Sequence, residues 1–116
     1  MTARSLAPVL PVDDLLAAVA VYTRLLGVLP TFVDGDRWAQ FDLAGHRLAL
    51  AGRDRAADHP GVLLKVDDLR SARAEAVAAG LPVEEIQTGP HEHRCVVTGP
   101  GGWPVVLYSP APKEQQ

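Results

Sequence analysis

The sequence predicts an α+β fold in which two βαβββ modules form a curved eight-stranded mixed sheet, with the helices on its convex face. The main observation is a repeat: the block VDDL at positions 12–15 recurs 54 residues later at 66–69. Each block follows a short apolar run typical of a strand and precedes apolar residues at helical spacing. The length of 116 residues is that of one domain, so we predict a single domain over 1–116.

Each copy predicts the same order of elements. The first unit, about 5–52, is predicted to contain a strand at 6–12, a helix at 14–26 and strands at 31–34, 37–43 and 47–51. The second unit, about 61–110, is predicted to contain a strand at 62–66, a helix at 69–79 and strands at 83–88, 93–98 and 105–108. The paired Asp residues are expected to cap the helices, which Gly27 and Gly80 end. The charged segment of about 52–60 is a linker, and the tail 111–116 is expected to be frayed.

Composition and charge exclude several classes of partner. The net charge is -3 and no Lys/Arg cluster is present, so we expect no nucleic-acid partner. The first residues lack the apolar core of a signal peptide, and no segment reaches the ~18 apolar residues of a membrane helix. The single cysteine, Cys95, cannot form an internal disulfide, which is typical of a reducing compartment. We therefore predict a cytoplasmic protein without a membrane partner.

Three strings of the sequence are similar to a known superfamily. PVLPVDDL at 8–15, VDDL at 66–69 and GPGGWPVVL at 99–107 resemble segments of the glyoxalase/bleomycin-resistance/extradiol dioxygenase proteins, the vicinal oxygen chelate superfamily. The resemblance extends over nearly the whole chain. It implies a ligand-binding cup on the concave face of the sheet.

The resemblance also indicates where a metal would be held. Enzymes of this superfamily bind a divalent metal through His, Gln or Glu at two positions of each half, and these positions correspond to Ala7, Ala49, Gly61 and Val106. None of these side chains can coordinate a metal, so we expect no metal and no cofactor. The chain thus resembles the metal-free bleomycin-resistance proteins, which bind a drug as homodimers. The resemblance implies a small-molecule ligand and a homodimer.

Strand alternation selects candidate ligand contacts in the first unit. In the strand predicted at 37–43, Trp38, Gln40 and Asp42 are expected to face the cup, while Leu43 is expected to pack beneath the helix. Trp38 could stack on a flat ligand, and Gln40 and Asp42 could supply hydrogen bonds or a negative charge. The alternative is a half-buried Trp38 with solvated neighbours.

The same argument selects residues of the second unit. Arg94 and Tyr108 are expected to face the cup, with solvated rim positions as the alternative. Cys95 is expected to face the core, which makes it a poor nucleophile.

Two further candidates lie at a predicted strand start and in a predicted turn. His93 belongs to the motif His91-Glu92-His93, and it could act as a general acid or base over a bound ligand or lie at an exposed loop rim. Trp103 lies in a Gly-Gly-Trp-Pro turn, where it could cover the cup, a sheet edge or a subunit contact.

The function we expect is metal-independent binding of a small molecule such as a drug or natural product, in the manner of a sequestering antibiotic-resistance protein. The alternative is a lyase, isomerase or dioxygenase-like enzyme of the same superfamily. Such an enzyme would be metal-free, with His93, Tyr108 or Arg94 active in proton transfer, or would use other metal ligands. A third possibility is an interaction subunit with a collapsed cup. The sequence leaves open whether the units pair within one chain or swap between chains.

Overall fold

The fold of the computed structural model is α+β, as predicted, and the structure describes residues 2–89 and 92–110. The chain divides into two compact units. The first unit is Ala7–Gly61, and the second combines residues 2–6 with the described residues from Val62 onward. Each unit has the predicted βαβββ order. The predicted frayed tail 111–116 lies outside the described residues.

The first unit is a four-stranded mixed sheet covered by one helix. Its elements are β1 (Ser5–Pro11, which begins in the second unit), α1 (Leu15–Leu26), β2 (Phe32–Asp34), β3 (Trp38–Leu43) and β4 (His46–Ala51). The strand order is β2-β3-β4-β1, with β1 parallel to β4 and antiparallel pairing elsewhere.

The second unit repeats this arrangement. Its elements are β5 (Gly61–Lys65), α2 (Leu69–Ala78), β6 (Gln87–Thr88), β7 (Glu92–Thr98), a short 3₁₀ turn (Pro100–Gly102) and β8 (Pro104–Pro110). The strand order is β5-β8-β7-β6, and β5 is parallel to β8. The repeat seen in the sequence therefore corresponds to two copies of one topology.

The paired Asp residues cap the helices as predicted. The Asp14 carboxylate accepts a hydrogen bond from the Ala17 backbone N–H at 3.1 Å, and Asp68 accepts one from Ser71 at the same distance. These bonds satisfy N–H groups that have no partner inside the helix. Gly27 ends α1 with a φ of 74°, in the left-handed region that favours glycine.

Each helix covers one face of its own sheet. Under α1 the buried cluster contains Leu15, Ala39, Phe41 and Leu50. Under α2 the buried cluster contains Val66, Leu69, Ala72, Cys95, Val97 and Leu107. The predicted orientation of strand residues toward the helices is confirmed for these members of β3, β7 and β8. Leu43 also lies on the helix side, where it lines a pocket with Leu26 and Phe41, but it is not buried as expected: it is 42 % exposed because it lies at the end of β3, where the hairpin turn begins.

The strand predicted at 83–88 is mostly irregular chain. Only Gln87–Thr88 forms a strand, and Val83 makes an isolated bridge with Val97. The reason is that the Glu84 carbonyl is bonded to side chains: it accepts from Arg73 Nε at 2.9 Å and from Cys95 Sγ at 3.2 Å. Ile86 and Val83 pack on the α2 cluster. In the residues that the structure describes, no helix is long and apolar enough to cross a membrane.

Gly52 follows β4 at a point of close backbone approach. Its N–H donates to the Arg37 carbonyl at 2.9 Å. A Cβ atom at this position would lie 2.3 Å from the Asp36 carbonyl oxygen and 3.0 Å from Leu15 Cβ. The backbone at Asp36 and the start of α1 therefore lie so close to Gly52 that only a hydrogen atom fits in place of a side chain.

Replacing Gly52 by Ala is expected to lower the free energy of unfolding by about 3 kcal/mol, at the upper end of overpacking effects, because the backbone at Asp36 must move. Gly45→Ala is the matched control. Gly45 has a φ of 82° but open space around it, so strain of about 1 kcal/mol is expected there. Urea unfolding of the three proteins measures both changes; equal losses for the two variants would contradict the close approach.

Candidate functional site

In both units the sheet has one face under its helix and a second face without a helix, called here the helix-free face. Side chains alternate between the two faces along each strand. Since Ala39 and Phe41 lie under α1, their neighbours Trp38, Gln40 and Asp42 lie on the helix-free face of the first unit. All three are half-buried. The sequence-based orientation of these three candidates agrees with the structure.

Asp42 belongs to a hydrogen-bonded group at the edge of this face. Its carboxylate accepts from Thr31 Oγ1 at 2.6 Å and from Arg47 Nε at 2.9 Å, with Gln40 Nε2 at 3.5 Å. The bonds from Thr31 and Arg47 hold the pKa of Asp42 below its ordinary value. Asp42 is thus a fixed carboxylate that orients Gln40, and it is unsuited to proton transfer near neutral pH.

Sequence reasoning did not identify Arg47. Its position opposite Asp42 follows from the antiparallel register of β3 and β4 across a two-residue turn. That register could have been inferred from the Ala44-Gly45 turn between the two predicted strands.

The positions that correspond to metal ligands lie on the helix-free faces. Ala49 pairs with Val9 across β4 and β1, and Ala7 is two residues before Val9 on the same side. Both alanines are buried.

Val106 of the second unit is buried beside Leu63, and the half-buried Gly61, the last residue of the first unit, lies two residues before Leu63 on β5. A methyl, an isopropyl or a hydrogen offers no lone pair, so these residues do not fit a divalent metal. Among the described residues, no group of three or more His, Cys, Asp or Glu side chains is placed to bind a metal.

A polar row crosses the helix-free face of the second unit. Lys65 pairs with Tyr108, Tyr108 with Arg94, and Arg94 with Gln87, so the four side chains are neighbours on consecutive strands. Arg94 Nε donates to Gln87 Oε1 at 3.5 Å. This row, called here the cationic row, combines two positive charges with a phenol and an amide. Gln87 was not among the predicted contacts, although it lies within the strand predicted at 83–88.

An apolar row lies next to the cationic row. Leu63, Val106 and Val96 pair across β5, β8 and β7, and all three are buried. The helix-free face of the second unit therefore has a buried apolar row beside a row of hydrogen-bonding side chains, the two kinds of group that line small-molecule sites.

His93 lies on the other face of β7. It alternates with Arg94 and shares the helix side with Cys95, and its Nδ1 is 2.9 Å from Thr88 Oγ1. The structure therefore does not bring His93 together with Arg94 and Tyr108. His91 lies outside the described residues.

Trp103 lies at the far end of the β7–β8 hairpin from the cationic row. It follows the 3₁₀ turn and is 59 % exposed. Its ring packs on Gly101, where a Cβ would lie 3.2 Å from Cδ1. Four register positions separate the Thr98–Pro104 pair at this end from the Arg94–Tyr108 pair.

Cys95 is a buried thiol. Burial raises its pKa, and its Sγ donates to the Glu84 carbonyl. The thiolate needed for nucleophilic attack is thereby disfavoured.

Comparisons with known proteins place the fold. No protein-family model matches the chain, and no curated protein matches it. Among solved structures, the NAD-dependent benzaldehyde dehydrogenase of Legionella pneumophila matches with a TM-score of 0.83 and 13 % identity, over 92 % of this chain and 100 % of that chain.

Two further solved structures match over nearly the whole chain. Methylmalonyl-CoA epimerase of Mycobacterium tuberculosis has a TM-score of 0.63 and 19 % identity, over 97 % of this chain and 94 % of that one. A glyoxalase/bleomycin resistance protein/dioxygenase superfamily member of Vibrio splendidus 12B01 has a TM-score of 0.65 and 17 % identity, over 93 % and 99 %. At these identities the similarity establishes the fold. The resemblance inferred from the sequence is confirmed at that level.

The hydrogen bonds of Asp42 lead to a prediction about its ionisation. Thr31→Val removes the shortest of these bonds and is expected to raise the pKa of Asp42 toward the ordinary value of an Asp side chain. Titration of the side-chain carboxyl carbon by NMR measures the change. Thr98→Val, in the second unit, is the control and should leave this pKa unchanged.

The same bonds predict the sign of the pH effect on stability. Since the folded-state pKa is below the unfolded value, ionised Asp42 stabilises the fold above the unfolded pKa. This contribution is lost as the pH falls through the folded pKa. The difference in Tm between wild type and Asp42→Asn should therefore disappear in strong acid; a constant difference would contradict the assignment.

Proposed function

We propose that this chain, which has the fold of the glyoxalase/bleomycin-resistance superfamily, is a metal-independent small-molecule-binding protein whose ligand contacts the helix-free faces. One observation carries the proposal. The four positions that hold a metal in enzymes of that superfamily are Ala7, Ala49, Gly61 and Val106, while Gln40 pairs with Ala49 and Tyr108 lies two residues from Val106 on the same face. Such faces retain the means to bind a ligand and lack a Lewis acid.

The half-buried residues define the chemistry of the ligand. Trp38 offers an indole face for a flat ring, and Gln40, held by Asp42, offers an amide beside it. Arg94 and Tyr108 offer donors next to the apolar row of the second unit. A flat aromatic drug or natural product with hydrogen-bond acceptors fits the groups of either face.

The positions of the titratable groups favour binding over metal-free catalysis. His93 and the Arg94–Tyr108 pair lie on opposite faces of β7, so they cannot act on one substrate atom. Asp42 is fixed as a carboxylate and Cys95 is buried as a thiol. We therefore favour sequestration of the ligand in the cytoplasm, as in antibiotic resistance, over its chemical conversion.

The two tryptophans allow a direct test of ligand binding. The chain has only Trp38 and Trp103, so Trp38→Phe and Trp103→Phe each leave one fluorescent reporter. Metal-free bleomycin and a panel of neutral and cationic flat aromatic natural products are the probes. At least one should quench Trp38 in Trp103→Phe and raise the Tm, while leaving the fluorescence of Trp103 in Trp38→Phe unchanged.

Three results would contradict the proposal. They are the absence of quenching and of a Tm shift with every probe, equal stabilisation of wild type and Trp38→Ala, and stoichiometric Ni, Zn, Fe or Mn in protein purified without chelator. The last result would establish metal binding through other ligands.

A homodimer is the second part of the proposal. Val21 and Leu25 are one turn apart on α1 and Leu29 follows the helix; all three side chains are exposed. Neighbouring exposed apolar side chains of this size are typical of an interface. A second copy of the chain is the partner that the superfamily resemblance implies.

Leu25→Lys is expected to convert the dimer to a monomer without loss of the fold, because Leu25 is exposed in the isolated chain. Sedimentation velocity measures the assembly and circular dichroism the fold. Val77→Lys, an exposed apolar position on α2, is the control and should remain dimeric. A monomeric wild type, or dissociation by Val77→Lys alone, would disprove this interface.

A further inference from the structure

A cavity of about 720 Å³ lies on the helix side of the second unit, away from its helix-free face. The first turn of α2, the segment before β6 and the ends of β7 and β8 line it. Its volume is within the range of small-molecule sites, about 300–1,000 Å³. Leu69, Ile86 and Pro110 give it apolar wall area.

The floor of this cavity carries polar groups without partners. Ser109 is 7 % exposed, and its hydroxyl makes no hydrogen bond with any residue that the structure describes. His93 pairs with Ser109 across β7 and β8, and its Nδ1 is taken by Thr88. The other ring nitrogen, Nε2, has no partner within residues 2–89 and 92–110. The Ser109 hydroxyl and this ring nitrogen can therefore each donate a hydrogen bond to a ligand in the cavity.

The acidic side chains of the cavity are paired or capped and lie at its exposed rim. Asp67 is bound by Arg4 at 2.7 Å. Asp68 caps α2. Glu85 pairs with Arg73 at 3.5 Å.

Arg70 is the second arginine of the cavity, beside the paired Arg73. It lines the cavity and has neither a hydrogen bond nor an ion pair with the described residues. Arg70 is therefore the cation of the described lining that no carboxylate engages, while the carboxylate of Asp68 is directed to the first turn of α2.

Comparison with the first unit indicates that the fold does not require this cavity. The Trp38–Ala51 pair of the first unit corresponds to the Arg94–Tyr108 pair of the second. One residue further along, Gly52 therefore corresponds to Ser109, and Arg37 corresponds to His93. In the first unit this corner is closed: the Asp36 carbonyl and Leu15 leave no room for a Cβ at Gly52. The second unit has a side chain with a hydroxyl there and open space above it.

We propose that this cavity binds a small organic anion, with its carboxylate on Ser109, His93 and Arg70 and its apolar body against Leu69 and Ile86. A carboxylate accepts hydrogen bonds from all three polar groups. The site is separate from the ligand surface of the helix-free faces and does not depend on it.

The test uses ¹H–¹⁵N NMR titration of the full chain with acetate, benzoate and 1-naphthoate, which share the carboxylate and differ in apolar size. Benzamide is the neutral match of benzoate, and inorganic phosphate tests for an anion without an apolar body. At least one of the two aromatic carboxylates should shift the amides of Thr88, His93 and Ser109 at lower concentration than acetate, benzamide or phosphate does.

Arg70→Ala and Ser109→Ala are each expected to weaken this binding by about tenfold or more, as for loss of a hydrogen bond to a charged group. Arg24→Ala, an exposed arginine on α1 without a partner in the described chain, is the matched control and should leave the affinity unchanged. Trp38→Phe should also bind normally, which distinguishes this site from the helix-free faces.

Four outcomes would overturn the proposal: no shifts with any carboxylate, shifts confined to other residues, equal affinity for benzoate and benzamide, or unchanged affinity in both Arg70→Ala and Ser109→Ala. Binding of phosphate alone would also overturn it, because an inorganic anion does not need the apolar wall.

Discussion

In each unit a short helix packs on one face of a four-stranded sheet, and the position of every other side chain depends on that contact. The helix starts are fixed by Asp14 and Asp68, whose carboxylates cap the first turns. Once Leu15 and Leu69 are buried beneath those turns, strand alternation determines which residues join the core. The residues between them are left on the helix-free face.

This dependence explains what the sequence could predict. The repeated VDDL block determined the element order, and the orientation of Trp38, Gln40, Arg94 and Tyr108 followed from alternation alone, because alternation is a local property of a strand. The exposure of Leu43 was not predictable in this way, since it depends on how far α1 extends over the end of β3. The irregular chain before β6 depends on Glu84 accepting bonds from Arg73 and Cys95, partners distant in sequence.

The chemistry of the candidate site depends on which face of the sheet each side chain occupies. A motif such as His91-Glu92-His93 indicates chemistry by residue type, yet the face on which His93 lies decides what it can act on. Alternation with Arg94 places it on the helix side. The partners of Asp42 needed a register and a loop conformation, which bring Thr31 and Arg47 to one carboxylate. Side-chain networks of this kind require tertiary structure.

Internal duplication gives the two units one scaffold, and their differences indicate where function has room to diverge. A glycine at position 52 lets the backbone at Asp36 close one corner of the first unit. At the matching position, Ser109 lies under a cavity and adjoins Tyr108, whose side chain points to the opposite face. The pairs His93–Ser109 and Arg94–Tyr108 are consecutive in the β7–β8 ladder. The cavity on the helix side and the helix-free face are therefore lined by adjacent residues of the same two strands. The two surfaces share one backbone, but different side chains contact a ligand on each.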